Sequence, residues 1–126
     1  TRLHLVEPLG FKLTDAQLRR AGLDYWDAIQ VQVHPTWPAF LATVNPARLF
    51  LYSTGSARRY DHVEYRPGDA LVFGCETKGL PEALLSAHRD FVCGIPIQTQ
   101  HVRSLNLSSA VALVVYEALR QIDARA

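Results

Sequence analysis

Short, almost continuous apolar runs, each closed by a glycine, proline or polar turn, constrain this chain more than any other feature. They are Leu3 to Glu7, Arg48 to Ser53 (RLFLYS), Ala70 to Gly74 (ALVFG) and Phe91 to Ile95. A strand covered on both faces reads as an unbroken apolar run, whereas a strand with one wet face alternates. Ile29 to Val33 does alternate, as a half-buried strand would. Helix patterns lie between the runs. Thr14-Asp15-Ala16-Gln17 fits a capping box opening a helix to about Ala21, stopped by Gly22. Thr36 to Val44 fits a short helix with Pro38 in its first turn and Pro46 beyond its end. Pro81 suits the first turn of a helix to about Ala87. Strands alternating with helices predict an α/β fold, a mainly parallel sheet with helices on both faces. Ligands of such sheets bind at the carboxyl ends of the strands. Three loops qualify, after Leu51-Tyr52, after Phe73-Gly74 and after Gly94-Ile95-Pro96, and they are expected to converge on one pocket.

The last element is the most strongly patterned. Leu107, Ala110, Val111, Val114, Val115, Ala118, Leu119 and Ile122 recur at helical spacing, while Ala112, Leu113 and Tyr116 lie off that stripe. A helix apolar on more than one face needs more than one partner, either a core plus a subunit interface or burial within the monomer. At 126 residues the chain is long enough for one domain with a core of its own. Thirteen Lys and Arg against twelve Asp and Glu exclude a polybasic tail but leave room for a local basic patch. Cys75 and Cys93 have no CxxC spacing, which argues against a disulfide scaffold or a four-cysteine zinc site. No apolar run approaches the roughly 20 residues of a membrane span and no signal peptide is visible, so a cytoplasmic address is expected. The chain opens on Thr1 rather than Met, with a strand pattern already under way, so it is expected to be processed, truncated or part of a longer chain.

The common site signatures are absent: no GxGxxG after a strand, no GxxxxGK[ST], no GxSxG and no HExxH. His4, His34, His62, His88 and His101 are scattered, as surface or hydrogen-bonded histidines would be. Two segments carry more. In Gly74-Cys75-Glu76-Thr77-Lys78-Gly79-Leu80-Pro81, Gly74 ends a strand where a bulky side chain would obstruct a ligand, and Gly79 permits positive φ. An ordinary strand–turn–helix link reads the same way. Arg103-Ser104-Leu105-Asn106-Leu107-Ser108-Ser109 crowds polar residues at the start of the last helix, either as caps or as a grip on a polar ligand. Cys75 reads as a small buried hydrophobe.

Taken in order, LVEPLGF, LRRAGLDYW, NPARLFL, LVFGCETKGLP and IP…RSLNLSSAVALVVYEALRQ make the chain resemble the SpoU-type branch of the SPOUT RNA 2′-O-methyltransferases. Within that branch the likeness is to the small enzymes acting on the tRNA wobble nucleotide, cytidine or uridine 34. The resemblance covers nearly the whole chain and implies a single methyltransferase domain over 1–126 with a deep C-terminal trefoil knot. Knots are nearly absent from proteins, so no pattern of residues could have shown one. It further implies S-adenosylmethionine (SAM) as cofactor, contacted at Tyr52, Gly74, Ile95, Ser104 and Leu105. Glu76, Gly79 and Asn106 would shape the pocket, and no metal is implied. Tyr116 matches a family position near the tRNA; by charge alone, Lys78 and Arg103 with Arg19, Arg20, Arg58, Arg59 and Arg66 read either as an RNA-phosphate-facing surface or as scattered solvated charges. The last helix would pack in a homodimer. The family's first motif, NxGxxxR, is thought to supply a catalytic arginine. It would lie upstream of Thr1 with the first strand and helix, so the catalytic residue is left unassigned; Arg19 and Arg20 do not match it. Two other readings remain at this point: a non-catalytic SAM- or RNA-binding remnant, and a doubly wound nucleotide binder without methyl transfer.

Overall fold

The computed structural model describes residues 2–7, 31–54, 56–74, 79–96 and 107–125. The chain divides into two compact units, Thr1–Asn45 and Pro46–Ala126.

In the first unit, β1 (Leu3–Val6) and β2 (Val31–His34) pair in parallel, Leu3 opposite Val31 and Val6 opposite His34. Helix α1 (Trp37–Val44) begins where the Thr36 hydroxyl accepts from the Ala39 N–H at 3.1 Å, with proline in its first turn. It ends at Asn45, whose φ of 46° is the left-handed conformation that asparagine tolerates and whose N–H closes on Leu41 O. Parallel register puts His4 and His34 on one face, because alternate residues of a strand share a face. Their rings meet there, His4 Nδ1 3.0 Å from His34 Nε2. Phe40 of α1 packs edge-on against both at 5.5 and 5.3 Å, and Trp37 stacks on Phe40.

In the second unit, β3 (Arg48–Tyr52) lies between β4 (Asp69–Val72) and β5 (Val92–Cys93), all parallel. A central strand has no wet edge, and Phe50, Leu51 and Tyr52 are all buried. Helix α2 (Glu82–Ala87) and a 3₁₀ turn (Arg89–Phe91) lead into β5, and α3 (Leu107–Arg125) closes the described chain. The core joins Phe50, Tyr52, Tyr65 and Cys93 to Val114 and Ala118 of α3. Arg48 grips Asp69 with two nitrogens, at 2.9 and 2.6 Å, where the β3–β4 ladder opens. Asp69 also accepts the Arg66 N–H, which locks the turn before β4.

The parallel α/β architecture is as the residue pattern predicts, but the strands are shorter. The run Phe91 to Ile95 yields only Val92–Cys93, because Arg89–Phe91 winds into a 3₁₀ turn. The polar stretch 54–68 holds a 3₁₀ turn (Tyr60–His62) and the fully buried Tyr65. On α3 the predicted stripe holds at Val114 and Ala118, whereas Leu119 is exposed. The helix predicted near 14–21, residues 29 and 30 of the alternating strand, and the loops 75–78 and 97–106 that would form the knot lie outside the described residues.

Candidate functional site at three strand exits

Strand order β4–β3–β5 brings the carboxyl ends of three parallel strands side by side. The three loops singled out from the sequence therefore do start next to one another. The register aligns Leu51 with both Val72 and Val92, and Tyr52 with Cys93, so the chains leave the sheet at nearly the same level. Parallel strands end with main-chain groups that the ladder no longer uses, which suits a polar ligand edge.

Five of the expected site residues, Tyr52, Gly74, Gly79, Ile95 and Tyr116, are among those described. Tyr52 is the last residue of β3, and its side chain belongs to the core: the ring stacks on Phe73 at 4.6 Å and the hydroxyl meets that of Tyr65 at 2.9 Å. Only the main chain of Tyr52 is left for a ligand at this exit. Gly74 lies two residues past β4 and Ile95 two past β5, where Ile95 packs on the core. Gly79 adopts φ of 67°, the left-handed conformation glycine accepts without strain. Tyr116 is 73% exposed on α3. Ser104, Leu105, Asn106, Glu76, Lys78 and Arg103 lie outside the described residues, as do Cys75, Arg19 and Arg20.

At Gly74 the structure shows what a side chain would meet. A Cβ there would stand 2.6 Å from the Gly79 oxygen and closer still to the Gly79 carbonyl carbon and the Leu80 nitrogen. The space a side chain would need is filled by the protein's own returning main chain. Gly94 repeats the arrangement at the β5 exit, where a Cβ would lie 2.8 Å from Ser56 O. Here the loop after β3 comes back beside β5. Gly94 N–H donates to Arg58 O at 2.7 Å, Tyr60 N–H donates to Gly94 O at 2.9 Å, and Ser56 Oγ donates to Val92 O at 3.1 Å. Both outer exits are thus framed by main chain packed closely on a glycine.

Proton chemistry among the described residues is quiet. Burial raises the Tyr52 and Tyr65 hydroxyls above the ordinary phenol range, so both stay protonated at neutral pH. Burial likewise raises the Cys93 thiol, which leaves it a core residue rather than a nucleophile. Of the candidate phosphate contacts, Arg59 is held by Asp61 through two hydrogen bonds of 2.9 Å, and Arg66 lies 3.6 Å from Glu64. Arg58 donates to the Asp90 carbonyl and has no carboxylate partner among the described residues. No three described residues cluster as metal ligands, and no described helix is long and apolar enough to cross a membrane. Sequence reasoning missed Tyr65 and Gln121, which lock this frame. Tyr65 sits in a polar stretch and Gln121 beside an apolar stripe, so neither pattern marked it.

The fold and the exit geometry define a parallel α/β protein with three strand ends side by side. Residues 1–116 match the SpoU rRNA methylase family, and the chain belongs to that family. It is 51% identical to the tRNA (cytidine(34)-2′-O)-methyltransferase of Burkholderia cenocepacia (strain HI2424) over 123 residues, 94% of this chain and 78% of that protein. Identity to the enzyme of that name from Escherichia coli (strain K12) is 47% over 122 residues, 96% of this chain and 77% of that one. A solved structure concerned with 2′-OH methylation of C/U34 on tRNA superposes with a TM-score of 0.85 at 41% identity, covering 95% of this chain and 78% of the other. The chain is an enzyme of this methyltransferase class.

Proposed function

We propose that this chain is a SAM-dependent tRNA 2′-O-methyltransferase that methylates the ribose 2′-hydroxyl of the wobble nucleotide, cytidine or uridine 34. The observation that carries this is 51% identity over 94% of the chain to an enzyme with that activity. The described exits suit the cofactor. Tyr52, Gly74 and Ile95 stand at adjacent strand ends, and Tyr52 offers main chain rather than a side chain, so an adenine edge would be read by backbone groups. Ser104 and Leu105 complete the cofactor contacts in this reading, with Glu76, Gly79 and Asn106 shaping the pocket. When bound, SAM supplies an electrophilic methyl carbon, and its transfer leaves a neutral thioether.

The protein's share is to hold the ribose hydroxyl in line with that carbon and to take its proton. Tyr52 and Tyr65 do not serve as the base, since burial keeps both phenols protonated. Tyr116, Lys78 and Arg103 would face the RNA. In this reading the two units work as one methyltransferase domain and the C-terminal loops form a trefoil knot. The exposed Leu113 and Leu119 of α3 meet a second copy in a homodimer, and the enzyme acts on tRNA in the cytoplasm.

The test is incubation of the protein with SAM and unmodified tRNA, followed by nucleoside analysis and mapping. Methyl incorporation at ribose 34 is expected. SAM binding without methyl transfer would favour the non-catalytic reading, and methylation at another nucleotide would overturn the assigned target.

A further inference from the structure

A continuous set of contacts runs from the C-terminal half of α3 to two of the three strand exits. Gln121 treats the 63–65 segment as a strand would: its Oε1 accepts the Tyr65 N–H at 2.9 Å and its Nε2 donates to Val63 O at 3.0 Å. Glu117 Oε2 accepts from the same Nε2 at 2.7 Å and fixes the amide's orientation, while Arg125 donates to Tyr65 O. The Tyr65 main chain is therefore held on both sides by α3. Its side chain enters the core with no exposure at all.

The direction of the next bond follows from counting protons. The Tyr65 hydroxyl donates to Tyr60 O at 2.6 Å, which uses its only proton. In the 2.9 Å contact between the two hydroxyls Tyr52 must then be the donor and Tyr65 the acceptor. The Tyr52 ring in turn lies flat on Phe73, at 4.6 Å and 11°. Tyr52 ends β3, and Phe73 immediately precedes Gly74. Two exits are thus tied, through one buried hydroxyl pair, to the helix that carries Tyr116.

We propose that Tyr65 is a positioning residue for the cofactor, acting through the Tyr52 hydroxyl to hold the β3 and β4 exits at the spacing the ligand needs and to lock them to α3. This rests on the SAM-binding reading above and deepens it. Neither hydroxyl touches the ligand; their effect reaches it through the main chain of Tyr52 and Gly74. Because the two residues act as one unit, their effects on cofactor binding are non-additive.

The experiment compares the unsubstituted full chain with Tyr65→Phe, Tyr52→Phe and the double variant. The readouts are calorimetric Kd for SAM, kcat and KM for SAM in tRNA methylation, and Tm. Each single substitution is expected to raise Kd and KM about five- to tenfold with kcat changed less than about twofold, and the double variant is expected to be no worse than the worse single. If Tyr65→Phe fails to fold, Tyr52→Phe alone carries the test, since it leaves the Tyr65–Tyr60 bond intact. An unchanged Kd with a lowered Tm overturns the proposal, because the pair would then only brace the core. Multiplying effects in the double variant also overturn it. Failure of the unsubstituted chain to bind SAM overturns the cofactor reading and this proposal with it, a result distinct from normal binding by every variant.

Discussion

Each compact unit buries one hydrogen-bonded pair of ring side chains against an edge-on phenylalanine, and the two pairs differ mainly in their protons. In Thr1–Asn45 the pair is His4 and His34, 3.0 Å apart, with Phe40 across both rings. In Pro46–Ala126 it is Tyr52 and Tyr65, 2.9 Å apart, with Phe50 edge-on to Tyr65 at 5.3 Å. Burial opposes charge in both places, with opposite signs of shift. It lowers His4, helped by the charge of His34, and it raises both tyrosines. Both tyrosines therefore stay protonated at neutral pH, far from the range where a phenol ionises, whereas the lowered His4 imidazole takes up its proton on mild acidification. Similar geometry therefore gives one unit a sensitivity to acid that the other unit's pair lacks.

The largest expected effect comes from removing the frame around the tyrosine pair. Gly74→Ala drives a Cβ into the Gly79–Leu80 main chain, which has no flexible side chain to yield. Overpacking of this kind costs about 3 kcal/mol or more. Urea unfolding should show a clear drop in midpoint; a wild-type midpoint would mean the Gly79–Leu80 strand packs elsewhere. Next comes the pair itself. Tyr65→Phe strands the Tyr52 O–H and removes the donor to Tyr60 O, for about 1–3 kcal/mol, whereas Tyr52→Phe loses a single bond, for about 0.5–1.5 kcal/mol. The reverse order of stabilities would show the donor assignment to be wrong.

The smallest effect is the one that separates the units. A histidine lowered in the folded state binds its proton more readily when unfolded. Its contribution is thus fully present above the ordinary value of 6.5 and is lost as pH falls below that, through the lowered folded value. Both tryptophans, Trp26 and Trp37, belong to the first unit, so tryptophan emission follows it selectively. Emission-monitored stability should decline from about pH 6.5 downward in the parent chain and flatten there in His4→Phe. The second unit should hold until Asp61 and Glu117 protonate. Arg59 keeps Asp61 below its ordinary 3.8, and Arg120 keeps Glu117 below its ordinary 4.5. An identical acid profile in His4→Phe would remove the histidine pair as the cause.

What could be read from the residues and what could not divides along physical lines. The apolar runs marked β1, β3, β4 and β5, and the imprint is clearest for central β3, whose consecutive Phe50, Leu51 and Tyr52 are buried. Thr36, Pro38 and Pro46 are local signals, and α1 starts and stops where they say. Adjacency of the three exits also followed, since parallel strands placed by short apolar runs end on one side. Tyr65 and Gln121 were invisible, because their roles depend on partners 56 and 58 residues apart in sequence. For Gly74 the residues alone suggested room for a ligand, and the structure adds main chain filling the space of a side chain, a partner that no local pattern could name.

That backbone filling has a practical corollary for redesign of the enzyme toward bulkier sulfonium donors. Trimming is the usual way to enlarge a binding cleft, and Gly74 at the β4 exit has no side chain to trim. Ile95, across the sheet at the β5 exit, does carry a side chain, but it packs on the core, so shortening it would leave a cavity there.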